Sequence, residues 1–173
     1  INGTLMKLPA GDMGFALGPR INAGGRVGKS DLGVRLLTTS DPQEAADISQ
    51  ELNRLNEERR AIEAVVLDEA MTASTACGNA PVAIVAGQGW HPGVIGIVAG
   101  RLKERLHRPA IVIAVDEAGI GKGSGRSISG VDLGAAILAA KESGLLVAGG
   151  GHAMAAGLTV EAGKVDALGA FLN

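Results

Sequence analysis

PVAIVAGQGWHPGVIGIVAGRLKERLHRPAIVIAV, residues 81–115, contains two β-branched runs with an amphipathic segment between them. Val82–Ala86 and Ile111–Val115 are short, apolar and bounded by Gly or Pro, so both are expected to be buried strands. Pro92 suits the first turn of a helix, and Val94, Ile95, Ile97, Val98 and Leu102 place an apolar stripe along it as far as His107. A strand, a helix and a second strand in close succession place this part of the chain in the α/β class. Downstream, Gly119–Ser127 is expected to form a strand entered by a tight turn. Asp132–Lys141 is an Ala-rich helix, and residues 149–157 form a Gly-rich turn before a strand at Leu158–Val160. A last helix begins near Gly163.

Upstream the period changes. Asp41 can cap a helix, Pro42 fits its first position, and Glu44 follows three residues after the cap. Ala45, Ile48, Leu52, Leu55, Ile62 and Val66 then recur on one face, and nothing interrupts the pattern before Gly78. Such a helix would be about 54 Å long at 1.5 Å per residue. That exceeds the roughly 40 Å diameter of a compact domain of this size, so the helix should connect two domains. Residues 1–30 look like loop, and a short helix is expected at about Asp31–Thr39. The expected division is 1–40, mostly loop; 41–78, connector helix; and 80–173, an α/β domain with a small mixed sheet flanked by helices.

The 173 residues carry a formal charge of −2, but the charges are segregated. Residues 1–40 hold five basic and two acidic side chains, 41–80 three and nine, and 91–130 six and three. Two basic blocks therefore flank an acidic one, and an anionic ligand would have to bind locally. One cysteine, Cys77, excludes an internal disulfide framework or a multi-cysteine zinc site and fits a reducing cytoplasm. No apolar run reaches the roughly 18 residues of a membrane helix, and no leader pattern is present, so no membrane partner is expected.

Four motifs could carry chemistry. In Pro19-Arg20-Ile21-Asn22-Ala23-Gly24-Gly25-Arg26, Arg20 and Arg26 frame two glycines that would let backbone approach a phosphate; the alternative is a solvated surface loop. In Gly89-Trp90-His91-Pro92-Gly93, His91 stands at a helix start that favours an anion and Trp90 could stack on a base; the alternative is that His91 simply caps the helix, with Trp90 in the core. Arg101 lies further along the same helix. In Gly121-Lys122-Gly123-Ser124-Gly125-Arg126-Ser127, alternating glycines leave room for backbone contact, and Ser124, Arg126 and Ser127 offer donors to a terminal phosphate. The order is wrong for a P-loop. In Gly149-Gly150-Gly151-His152, the glycines suit either an anion nest beside His152 or a tight turn with a structural histidine. No Asp/His cluster has metal-ligand logic. The acids between Glu51 and Glu69 alternate with Arg54, Arg59 and Arg60, as on a solvated helix face.

Together, and in this order, these motifs resemble the RecJ single-strand-specific exonucleases of the DHH/DHHA1 phosphoesterase family. The resemblance covers essentially the whole chain, although Gly25 and Gly100 stand where Ala and Ser are expected. It implies a DHHA1 fold for residues 80–173 and a role in a 5′→3′ exonuclease of DNA repair and recombination. Mn²⁺ or Mg²⁺ would be bound by a DHH domain absent from this sequence, leaving the chain without a metal, without catalytic residues of its own and inactive alone. Single-stranded DNA is the implied partner, with a single-strand-binding protein or a helicase as further candidates. Ser124 and Arg126 would grip the 5′-phosphate, with Ser127 beside them. Gly150, Gly151 and His152 would lie beside the substrate phosphates, His152 as a substrate-side contributor. Arg20 and Arg101 would contact the DNA backbone, with Arg26 and His91 as weaker candidates. Rival functions are a phosphodiesterase for short oligonucleotides or cyclic dinucleotides and a non-catalytic nucleic-acid-binding module. The long helix also allows a dimerisation element.

Overall fold

A computed structural model describes residues 13–173, so residues 1–12 of the expected N-terminal loop lie outside the described residues. It divides into two compact units, one ending at Ala61 and the other beginning at Ile62.

In the first unit a π-helical turn, Met13–Leu17, leads into α1 (Gly18–Val27), followed by α2 (Leu32–Thr38) and the first half of α3 (Pro42–Ser74). The loop expected around the first motif is thus corrected to a helix. Of its Gly pair, Gly24 is a packing device: a Cβ there would lie 2.9 Å from Lys29 O and 3.3 Å from Leu52 Cδ2, whereas one on Gly25 would meet nothing within 4 Å. The small residue lets α1 close on Leu52, and Ala23, Leu32, Ile48, Leu52 and Leu55 form the core there. Asp41 caps α3 as expected, its Oδ1 accepting the Gln43 N–H at 2.9 Å. Glu44, however, does not turn back to the cap. It accepts from Thr39 Oγ1 at 2.6 Å and from Arg35 Nη2 at 2.7 Å, tying α2 to α3.

At 33 residues α3 is about 50 Å long. It ends at Ser74, followed by a 3₁₀ turn, Thr75–Cys77. Its second half contributes Val66 and Ala70 to the core of the second unit. No helix among the described residues is long and apolar enough to cross a membrane.

The second unit contains β1 (Ala83–Gln88), α4 (Ile95–Leu106), β2 (Ala110–Val115), β3 (Ile120–Arg126), α5 (Leu133–Glu142), β4 (Ala148–His152), β5 (Ala155–Glu161) and α6 (Val165–Leu172). The strands form one mixed sheet in the order β1-β2-β3-β5-β4, parallel only between β1 and β2. One core holds Val66, Ala70, Trp90 and the α4 residues Val98 and Leu102 with Val85 and Val112; the other holds Leu133, Ile137 and Leu168 with Ile111, Ile113 and Leu158. Strands β1 and β2 are therefore covered on both faces, as continuous apolar runs require.

Two expectations shift in this unit. The helix expected from Pro92 starts at Ile95, because His91–Val94 form a turn of their own, with Val94 N–H donating to His91 O. The glycine run 149–151 is not a turn but strand β4; the turn lies at Ala153–Met154, between β4 and β5. By contrast, α5 begins as expected, Asp132 Oδ1 accepting the Ala135 N–H at 2.9 Å.

Candidate nucleic-acid interface

The alternating glycines of β3 assign its two faces. A Cβ would lie 2.6 Å from Ile113 Cγ2 at Gly121, 2.6 Å from Leu158 Cδ1 at Gly123 and 2.6 Å from Leu133 Cδ2 at Gly125. These glycines are occupied by core side chains, not held open for a ligand as the sequence suggests. Because strand residues alternate between faces, Lys122, Ser124 and Arg126 all stand on the opposite side.

Cross-strand register extends that side. Ser124 pairs with Gly157, which pairs with Gly150; Arg126 pairs with Ala155, which pairs with His152. Paired residues share a face, so Ser124, Arg126, Gly150 and His152, from two distant motifs, line one patch. Its floor is bare: a Cβ built on Gly150 or Gly157 meets nothing within 4 Å.

Arg126 is pre-positioned. Its Nη1 donates to Ser124 Oγ at 3.0 Å and to Gly125 O at 2.8 Å. The first turn of α4 closes the other side, since a Cβ on Gly96 would lie 3.0 Å from Arg126 Nη2 and 3.2 Å from Ser124 Oγ. Sequence reading missed Gly96; its only local sign is the Gly96/Gly100 pair on one helical face. The first amides of a helix lack intrahelical partners, and the helix dipole is positive there. Guanidinium and helix terminus thus present positive potential to one spot, and no carboxylate among the described residues forms an ion pair with Arg126. Such an arrangement suits an anion with several oxygens, above all a phosphate.

The other expected site residues are placed differently. Ser127 is buried, its hydroxyl donating to Val131 O at 2.8 Å, so it holds the β3–α5 loop instead of facing the patch. Gly151 is packed: a Cβ there would lie 2.4 Å from Ala155 O. His91 Nδ1 accepts the Gly93 N–H at 3.0 Å, the capping alternative, and Trp90 is buried with Nε1 donating to Glu69 Oε2 at 2.6 Å. Arg101 is exposed, pairs with Glu104 at 3.8 Å, and lines a groove with Leu67 and Met71, apart from the Ser124–Arg126 patch. Arg20 and Arg26 belong to the first unit. Arg20 Nε donates to Asn53 Oδ1 at 2.6 Å and is thereby held against α3. Among the described residues no group of three or more His, Cys, Asp or Glu could hold a metal ion. No step through Mg²⁺ or Mn²⁺ is therefore assigned to these side chains.

Known proteins share this fold. The DHHA1 domain family matches residues 79–173. Single-stranded-DNA-specific exonuclease RecJ of Bacillus subtilis is 42% identical across 98% of this chain, and that of Escherichia coli 42% identical across 94%. The chain spans only 22% and 30% of those two proteins. The crystal structure of RecJ in complex with Mg²⁺ from Thermus thermophilus superposes with a TM-score of 0.83 at 34% identity, covering 93% of this chain and 25% of that one. A crystal structure of exonuclease RecJ bound to manganese gives a TM-score of 0.79 at 34% identity, covering 95% and 40%. The chain belongs to the DHHA1 domain family, as a relative of the RecJ exonucleases along nearly its whole length.

Proposed function

We propose that this chain is the DNA-end-binding part of a metal-dependent, single-strand-specific 5′→3′ exonuclease acting in DNA repair and recombination. The observation that carries this is the Arg126–Ser124 pair beside the open Gly150–Gly157 floor, in a chain whose curated relatives are single-stranded-DNA-specific exonucleases. The patch would grip a 5′-terminal phosphate through the guanidinium, the hydroxyl and the α4 amides, with His152 beside the adjoining backbone. Gripping one end orients the strand, and such positioning contributes several kcal/mol to a hydrolytic rate.

Mn²⁺ or Mg²⁺, the ions in the related RecJ structures, would activate the attacking water from a DHH domain. That domain would be supplied outside residues 13–173, with residues 41–78 as the connector to it. On this account the chain alone binds single-stranded DNA and does not cut it.

Competition binding tests the substrate class. A labelled single-stranded oligonucleotide should be displaced by unlabelled single strands and poorly by duplex or cyclic dinucleotide. Preferential displacement by cyclic dinucleotide would overturn the exonuclease assignment in favour of a cyclic-dinucleotide phosphodiesterase. Release of mononucleotides by the purified chain with Mn²⁺ would overturn its inactivity.

A further inference from the structure

A cleft of about 600 Å³ opens at the carboxyl ends of β1 and β2, on the face of the sheet that carries Ser124 and Arg126. Its lining includes Trp90 and Pro92, the polar Gln88, Asp116 and Glu117, and Lys122 of β3. Lys122 also belongs to the phosphate-binding row: it lies two residues from Ser124 on the same side of β3, about 6.6 Å along the strand. The cleft is therefore the next feature reached when moving along β3 from a phosphate held at Ser124 and Arg126. A single sugar spans such a step.

The lining chemistry selects the occupant. Two carboxylates would repel a second phosphate, so the cleft does not simply continue the anion site. Its apolar walls suit a flat ring, and small-molecule sites characteristically combine such walls with a few polar groups. Carboxylates accept hydrogen bonds from exocyclic amino groups, as Asp and Glu do from cytosine N4. Asp116 already spends Oδ1 on the Ile120 N–H at 2.8 Å, which fixes the end of the cleft and makes Glu117 the more adaptable acceptor. The Gln88 amide can both donate and accept at a base edge. Lys122 lines the cleft, and its Nζ donates to Thr159 Oγ1 at 3.2 Å on the neighbouring strand β5, which also carries Gly157.

We propose that this cleft is a nucleobase subsite for the 5′-terminal nucleotide, favouring bases with an exocyclic amino group over thymine. The inference rests on the phosphate site proposed above, and extends it from an end-binding patch to one that holds a whole nucleoside 5′-monophosphate. Such a monophosphate is also the unit that a 5′→3′ exonuclease releases, so the same subsite would retain product.

The experiment compares dCMP, dTMP and deoxyribose 5-phosphate binding to the full chain by calorimetry, with amide chemical shifts followed by NMR. dCMP should bind about fivefold more tightly than dTMP, the size of one net hydrogen-bond contribution, and by more than that over deoxyribose 5-phosphate. It should shift Gln88, Glu117 and Lys122 as well as Ser124 and Arg126, and dTMP should fall between the two. The exposed substitution Glu117→Ala should bring dCMP down to the level of dTMP and leave deoxyribose 5-phosphate unchanged. Equal binding of dCMP and deoxyribose 5-phosphate, with shifts confined to Ser124, Arg126 and Gly150, overturns the base subsite and leaves the phosphate site standing. Binding of all three that is indifferent to Arg126→Ala overturns both.

Discussion

Arg126 Nη1 donates to Ser124 Oγ at 3.0 Å along the face of β3, while Nη2 of the same guanidinium stands 3.0 Å from where a Cβ on Gly96, in the first turn of α4, would lie. Two motifs that are distant in sequence therefore form one anion-facing surface, and the proposed function depends on that junction.

Gly96→Ala should separate binding from stability. The new Cβ would lie 3.0 Å from Arg126 Nη2, the mobile end of a long side chain, so the guanidinium gives way and the fold does not. Alanine is also favoured over glycine in a helix by up to about 1 kcal/mol. The melting temperature should hold or rise while affinity for a 5′-phosphorylated oligonucleotide falls, measured by thermal denaturation and anisotropy on the same sample.

Glycines on the two faces of the sheet should respond in opposite ways. Gly125→Ala places a Cβ 2.6 Å from Leu133 Cδ2 in the core, and overpacking of this kind costs about 1–3 kcal/mol. Gly150→Ala meets open space, so the urea midpoint should not fall, yet the methyl group intrudes on the proposed phosphate floor and should weaken DNA binding. A Gly150→Ala protein that binds DNA as the parent does would remove that strand from the interface.

Much of this was legible in the sequence. The β-branched runs on either side of α4, the Asp41 cap and the long apolar stripe of α3 are local signals, and each appears where the sequence places it. Glycine was the obstacle. Its freedom is compatible with a loop, a turn, a crowded helix or a crowded strand, and only tertiary neighbours distinguish them: Leu52 over Gly24, Leu133 over Gly125, Arg126 over Gly96. The same limit hid the commitment of Ser127 to Val131 O, because a serine one residue after an arginine looks identical whether it faces solvent or closes a loop. Ser124, Arg126, Gly150 and His152 could be named from sequence, but their shared face follows only from the β3–β5–β4 register.

Acid should loosen the α2–α3 junction. Hydrogen bonds from Thr39 and then Arg35 hold the Glu44 carboxyl below its ordinary value of 4.5, and a hydrogen bond from Arg54 does the same for Glu51. A carboxyl depressed in the folded state stabilises above its unfolded value and loses that contribution as the pH falls through the folded one. Stability should therefore decline as the pH drops below about 4.5, and Glu44→Gln should flatten part of that decline in urea unfolding followed from pH 7 to pH 3. The side chains are solvent-facing, so added salt should shrink the effect.

The central claim is that the Ser124–Arg126 pair recognises a phosphorylated DNA end, and fluorescence anisotropy at low salt tests it most directly. The full chain is titrated with one single-stranded oligonucleotide bearing a 5′-phosphate and with the same strand bearing a 5′-hydroxyl, with Arg126→Ala run alongside. The phosphorylated end should bind more tightly by about tenfold or more, the size of a hydrogen bond to a charged group, with that preference abolished in Arg126→Ala. Equal affinity for the two ends, unchanged by the substitution, would contradict it.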